Sequence, residues 1–168
     1  MPSTPPRSRK PADARQASQE WLTLDRQLCF ALYGSSLAMT KLYKPLLEPL
    51  GLTYPQYLVM LVLWEGDGLS VSALGQRLGL DSGTLTPLLK RLEAAELIQR
   101  QRARDDERRV DIVLTATGRH LRRRAADIPR QLACASGCEL DELSALTQRL
   151  QQLRLQLQQS LQHTSPAG

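Results

Sequence analysis

The sequence predicts a mainly α-helical fold with one small β-hairpin, and three observations lead there. Leucines recur at helical spacing near both ends of the chain, over about 22–48 and 139–161. Two short capped segments meet at Gly79 in the middle. Two strand-like stretches, Leu97–Arg102 and the alternating Arg109–Leu114, flank a charged turn.

Each element follows from local chemistry. Leu24, Leu28, Leu32, Leu37, Leu42 and Leu46 predict one long helix over about 22–48, with Pro45 able to kink it because it has no N–H to donate. Pro49-Leu50-Gly51 is a turn. Thr53-Tyr54-Pro55-Gln56 has the form of a capping box and opens a helix that runs to about Glu65 and stops at Gly66-Asp67-Gly68. Ser70 caps a short helix, Val71–Leu78, ended by Gly79. Asp81 or Ser82 caps another, to about Ala95, with Leu85, Leu88, Leu89 and Leu92 inward. On the second strand of the hairpin, Val110, Ile112 and Leu114 share a face. Thr115 caps a helix from 116 to about 135, interrupted by Gly137. In the last helix, from about Glu139 to 161, Leu143, Leu146, Leu150, Leu153 and Leu157 form a heptad seam. That seam either packs within one chain or, as read here, forms a homodimer interface shared with the first helix.

Two short helices about a Gly-containing turn, followed by a charged hairpin, make a winged helix-turn-helix, a DNA-binding unit. The flanking helices then form a dimerisation domain. The organisation is a disordered basic arm at 1–20, a helical dimerisation and sensing region at 21–66 and 116–161, a winged-helix DNA-binding region at 67–115, and a tail at 162–168.

Composition narrows the alternatives. The chain has 168 residues, 42% hydrophobic and 23% charged, an ordinary globular mixture of about one domain. No run approaches the roughly 18 apolar residues of a membrane span. No apolar stretch follows the basic amino terminus, so no secretory leader is expected. Three cysteines do not close a disulfide framework, and a reducing cytoplasm is the expectation. Only His120 and His163 accompany Cys134 and Cys138, so neither a metal site nor a cofactor is expected. The net charge of +5 hints at a polyanionic partner but does not locate it. Arg7, Arg9, Lys10 and Arg15 against Asp13 give residues 1–19 a net of +3, and Arg119, Arg122, Arg123, Arg124 and Arg130 against Asp127 give 116–130 a net of +4, whereas 70–115 carries only +1.

The DNA reading therefore rests on pattern. A recognition helix needs small or polar residues at its amino end and basic ones further along. Ser82-Gly83-Thr84-Leu85-Thr86-Pro87 followed by Lys90-Arg91 meets that demand. Thr84 and Thr86 suit bases or phosphates, and Lys90 and Arg91 suit phosphates. In the wing, Arg104-Asp105-Asp106-Glu107-Arg108 is nearly neutral. Asp106 is read as holding Arg108, whose guanidinium enters a narrow minor groove. The plainer alternative is a solvated hairpin tip.

All seven aromatic residues, Trp21, Phe30, Tyr33, Tyr43, Tyr54, Tyr57 and Trp64, lie in one stretch that also holds Cys29. They suit an aromatic core or a small-molecule or redox pocket. Tyr57 and Trp64 are assigned to the core.

Asp106-Glu107-Arg108 through Leu114-Thr115 resembles the wing motif of the MarR family of winged-helix repressors. Leu28-Cys29-Phe30-Ala31-Leu32-Tyr33, Tyr43-Lys44-Pro45-Leu46-Leu47, Leu52-Thr53-Tyr54-Pro55-Gln56-Tyr57 and Asp81 through Lys90 resemble the organic hydroperoxide resistance regulators (OhrR) within it, of the two-cysteine type. The resemblance covers about 22–160. It implies a homodimer that binds double-stranded palindromic operator DNA when reduced, and a peroxidatic cysteine at Cys29. It further implies that the partner subunit's Tyr43 and Tyr54 bond the sensing sulfur, that Tyr33 lines the pocket, and that Cys134 is the resolving cysteine in an intersubunit disulfide. Cys138 is an extra thiol, less suited to that role.

A cysteine attacks a peroxide as thiolate. Cys29 stands near a helix start, whose positive dipole end favours an anion. Acidifying a thiol raises its thiolate fraction but lowers the nucleophilicity of each thiolate, and the two nearly cancel. Reactivity must then come from positioning the peroxide and from donors to the departing oxygen. Apolar neighbours such as Phe30 and Leu32 favour an organic hydroperoxide over hydrogen peroxide. A sulfenic acid forms first and condenses with a thiol, which requires cysteine Cα atoms within about 7 Å. If they start farther apart, helices move, and the recognition helices leave their spacing of roughly 34 Å. The expected function is thus a peroxide-released repressor. Two alternatives are a MarR-type regulator that releases DNA on binding a small aromatic ligand, and a thiol peroxidase. Nothing else in the chain resembles a catalytic set.

Overall fold

The computed structural model describes residues 21–102 and 109–164. The expected basic arm (1–20), the wing-tip residues Asp106 and Arg108, and the end of the tail (165–168) lie outside the described residues. The chain divides into two compact units between Lys41 and Leu42.

The described part of the first unit is helical. A 3-10 turn, Leu24–Arg26, precedes α1, Leu28–Leu47. The long helix thus begins at Leu28 and not near 22. Gln27 is extended (φ −84°, ψ 113°) and breaks the helical path, while its side-chain amide donates to the Trp21 carbonyl. Pro45 lies inside α1 without ending it.

The second unit holds the core. Glu48–Leu50 is a 3-10 turn closed by Gly51 in the left-handed region (φ 67°). Helix α2, Tyr54–Glu65, starts at the expected capping box, where the Thr53 N–H donates to Gln56 Oε1 at 2.8 Å. Strand β1, Leu69–Ser70, follows; two residues are too few to show alternation, so the sequence did not reveal it. Helix α3, Val71–Leu78, is capped by Ser70, whose Oγ accepts the Ala73 N–H at 3.1 Å, and ends at left-handed Gly79. Helix α4, Ser82–Ala94, is capped by Asp81. Strands β2, Ile98–Arg102, and β3, Val110–Leu114, pair antiparallel, from Ile98 against Leu114 to Arg102 against Val110. The three-stranded sheet has the order β1-β3-β2. Ile112 and Leu114 face the core as expected, but Val110 is 37% exposed because it lies toward the outer end of the hairpin.

The expected single helix over 116–135 is two: α5, Ala116–Ala125, and α6, Ile128–Ser136. Pro129 explains the break. It has no N–H to donate to the Ala125 carbonyl one turn back, and it is well tolerated in the first turn of a new helix. Gly137, left-handed at φ 68°, closes α6. Helix α7 runs Leu140–Thr164, so it extends past the expected start of the tail at 162.

Leu47, Val59, Met60, Leu63, Leu74, Leu85, Leu89, Leu92, Ile98 and Ile112 are fully buried together, each contributing roughly 1.5–3 kcal/mol of transfer free energy. They bind α2, α3, α4 and the sheet into a winged helix-turn-helix. Among the described residues, no single helix is long and apolar enough to cross a membrane.

Candidate functional site

Helix α4, the expected recognition helix, is set by its amino-terminal cap. Asp81 Oδ1 accepts the Thr84 N–H at 2.8 Å, and its Oδ2 accepts the Thr84 hydroxyl at 3.0 Å. The Thr84 backbone bond, then the Thr84 hydroxyl, hold the Asp81 carboxyl below the usual carboxylate range. Leu85, Leu89 and Leu92 fix the inner face. On the other side, Ser82, Thr86 and Lys90 follow one another at four-residue spacing, flanked by Pro87 and Arg91. All are exposed except Thr86, which is half-buried, and Thr84 is exposed as well.

The two threonine hydroxyls have committed their protons. Thr84 donates to Asp81, and Thr86 Oγ1 donates to the Ser82 carbonyl at 2.6 Å. Toward the surroundings they therefore offer lone pairs, as acceptors.

The wing's strands are in place behind α4. Arg109 Nε donates to Asp111 Oδ1 at 3.1 Å, pairing two charges along the returning strand. The proposed minor-groove pair of Asp106 and Arg108 lies outside the described residues.

The residues expected to serve redox sensing divide between the two units. In the first, Cys29 is the second residue of α1 and is exposed, as are Phe30 (44%) and Tyr33 (62%). The bond from the Ala31 N–H to the Gln27 carbonyl, 3.0 Å, shows where the helical ladder begins. The N–H groups of Leu28, Cys29 and Phe30 precede it and have no intrahelical acceptor. Trp21, Phe30 and Tyr33 are not core residues, so the aromatic-core reading holds only for the other four.

In the second unit, Tyr43, Tyr54, Tyr57 and Trp64 form a continuous aromatic cluster. The Tyr43 ring lies 4.6 Å from Tyr54 and 5.9 Å from Tyr57, and Tyr57 meets Trp64 edge to face at 6.2 Å. Tyr57 and Trp64 are buried, as assigned. Burial, reinforced by the neighbouring Tyr54 and Tyr57, pushes the Tyr43 phenol up to about 12, and burial raises Tyr54 and Tyr57 too. These phenols stay protonated and can donate at any physiological pH.

Cys134, on α6, is exposed; Cys138, just past the turn that ends α6, is half-buried. All three cysteines are free thiols. Arg130, one turn before Cys134, is gripped by Asp127 at 2.8 and 3.2 Å. Its charged form is favoured first by Asp127 and, more weakly, by Cys134. Sequence reasoning missed this neighbour, although four-residue spacing on a helix is its signal. Among the described residues, no three histidine, cysteine or acidic side chains gather as metal ligands.

A family profile described as transcriptional regulator SarA/Rot matches residues 41–124. The chain is 52% identical over 127 residues to the organic hydroperoxide resistance transcriptional regulator of Bacillus subtilis, covering 74% of this chain and 86% of that one. It is also 52% identical over 135 residues to the HTH-type transcriptional regulator TtmR of Methylorubrum extorquens, covering 80% and 69%. Among solved structures, reduced AbfR bound to DNA aligns with a TM-score of 0.69 at 35% identity, over 84% of this chain and 99% of that one. Disulfide-formed AbfR aligns at 0.57 with 34% identity, over 84% and 98%. AbfR is a protein of Staphylococcus epidermidis.

Proposed function

This chain belongs to the MarR-type transcriptional regulators that include the organic hydroperoxide resistance regulators, and from that premise we propose that it is an operator-binding repressor released by organic hydroperoxides through Cys29. The observation that carries the reading is an exposed thiol on the first turn of α1. The Cys29 thiolate attacks one peroxide oxygen, the O–O bond breaks, and the other oxygen leaves as an alcohol once protonated. Cys29 becomes a sulfenic acid. Condensation with Cys134 of the partner subunit then forms a disulfide and releases water. Arg130 stands four residues before Cys134 on α6, one helical turn away.

The phenols of Tyr43 and Tyr54 suit the role of donors to the sensing sulfur, because burial keeps them protonated. Phe30 and Tyr33 supply apolar surface for an organic substituent. The reduced, DNA-bound and the disulfide-formed states solved for AbfR support the same pair of states here.

In the DNA-bound state Ser82, Thr84, Thr86 and Pro87 face base edges and Lys90 and Arg91 face phosphates, while Asp106 and Arg108 serve the wing. Palindromic operator DNA requires two copies. The exposed apolar residues of α1 (Leu28, Phe30, Leu37) and of α7 (Leu146, Leu150, Leu157) are surfaces a homodimer would cover. The test is operator release during titration with cumene hydroperoxide. Release that saturates at about one equivalent per subunit and reverses with a thiol reductant is expected. Continuous peroxide turnover with operator still bound would replace this reading with a thiol peroxidase.

A further inference from the structure

One carboxylate outside the DNA-facing and thiol residues joins three elements. Asp67 lies in the turn between α2 and β1. Its Oδ1 accepts the N–H of Leu114 at 2.7 Å and that of Gly68 at 2.9 Å. Its Oδ2 accepts from Arg119 Nη1 at 3.0 Å, as an ion pair.

The sheet explains the need. β1 pairs with β3 through Leu69 against Ile112 and Ser70 against Asp111. Continuing that register two residues back places Asp67 opposite Leu114. β1 ends before reaching that point, so the side chain of Asp67 takes the N–H that a longer strand would have taken with a carbonyl. Leu114 is the last residue of the wing's returning strand and is 4% exposed, where an unmet donor is costly. Gly68 makes the approach possible with a left-handed φ of 76°.

A second fastening lies beside the first. The Trp64 indole donates to the Gly118 carbonyl at 2.9 Å, tying the end of α2 to α5. Gly118 is pressed so closely on β2's base that an added Cβ would stand 2.0 Å from the Leu97 carbonyl oxygen. Trp64 thus fixes α5 to α2, and Asp67 fixes β3 to both. Leverage makes this matter. Strand rise of about 3.3 Å per residue puts Val110 about 13 Å from Leu114, so a root rotation of about 10° moves it about 2 Å, and the tip farther. A hydrogen bond does not survive a shift of that size.

We propose that Asp67 is a positioning residue for the wing: its carboxylate pins the root of β3 to α2 and α5 and so sets where the wing meets DNA. The proposal rests on the DNA-binding reading above. A double-mutant cycle on operator affinity tests it, using Asp67→Asn, Arg108→Ala at the wing and Lys90→Ala on the recognition helix. Asp67→Asn should weaken binding about tenfold, the size of one good groove contact. Combined with Arg108→Ala, it should weaken binding no further than Arg108→Ala alone; combined with Lys90→Ala, the two losses should multiply. The rate of Cys29 oxidation should not change, and Asp67→Glu, which keeps the charge, should recover most of the affinity. Should Asp67→Asn fail to fold, Arg119→Gln carries the same cycle. Losses that multiply with Arg108→Ala, or full affinity in Asp67→Asn, overturn the positioning role alone. Full affinity in Arg108→Ala overturns the reading of the wing, and the positioning role with it.

Discussion

The phenol rings of Tyr43 and Tyr54 stack with centroids 4.6 Å apart and planes tilted by 35°. Both belong to the second unit, Tyr43 just before the 3-10 turn Glu48–Leu50 and Tyr54 at the start of α2. The chemistry of the pair gives the first prediction. Below pH 10 Tyr43 is neutral in both folded and unfolded chains, and its contribution to stability is complete. Between its usual value of 10.0 and about 12, the unfolded chain ionises Tyr43 while the folded chain keeps it neutral. Stability must therefore fall as pH rises through that window. Ultraviolet titration should show Tyr43 ionising last, near 12, with Tyr54 and Tyr57 also above the ordinary phenol range; ionisation of all three together near 10 would contradict the packing.

The hydroxyls can be removed without the rings. Tyr54→Phe keeps the apolar contact and deletes one donor, so the fold should persist. If that phenol serves the sensing sulfur, the second-order rate of Cys29 oxidation by cumene hydroperoxide should drop by about tenfold or more. An unchanged rate would confine Tyr54 to packing.

Gly118→Ala addresses the base of the wing. The new Cβ would meet the Leu97 carbonyl oxygen at 2.0 Å, a distance only backbone movement relieves. A loss of about 2–3 kcal/mol is expected, with Tm lowered by roughly 4–12 °C. Thermal melts that coincide with the native protein would refute the close approach of α5 to β2.

Much of the architecture was readable from local chemistry. Thr53 with Gln56, Ser70 with Ala73, and Asp81 with Thr84 are caps, and caps act within three residues, so their sequence pattern and their geometry coincide. Long-range terms were not readable. The break before α6 needed weight given to Pro129 over a favourable helical pattern. β1 is too short for periodicity. Asp67 looks like an ordinary turn residue, because its partners Leu114 and Arg119 lie 47 and 52 residues away. Cys29 stood out through its neighbours in sequence, whereas Arg130, one turn before Cys134, required the helix to be seen.

The two carboxyl-terminal thiols should separate on a gel. Peroxide-treated protein run without reductant should give a band near twice the 18.8 kDa chain. The band should vanish in Cys134→Ser and persist in Cys138→Ser. The reverse pattern would make Cys138 the resolving residue.

The most direct test of the sensing role is operator affinity of the native protein and Cys29→Ser, each with and without cumene hydroperoxide. Both reduced proteins should bind alike, and only the native protein should let go on oxidation. A Cys29→Ser protein that releases operator as readily as the native one would contradict the central role given to that sulfur.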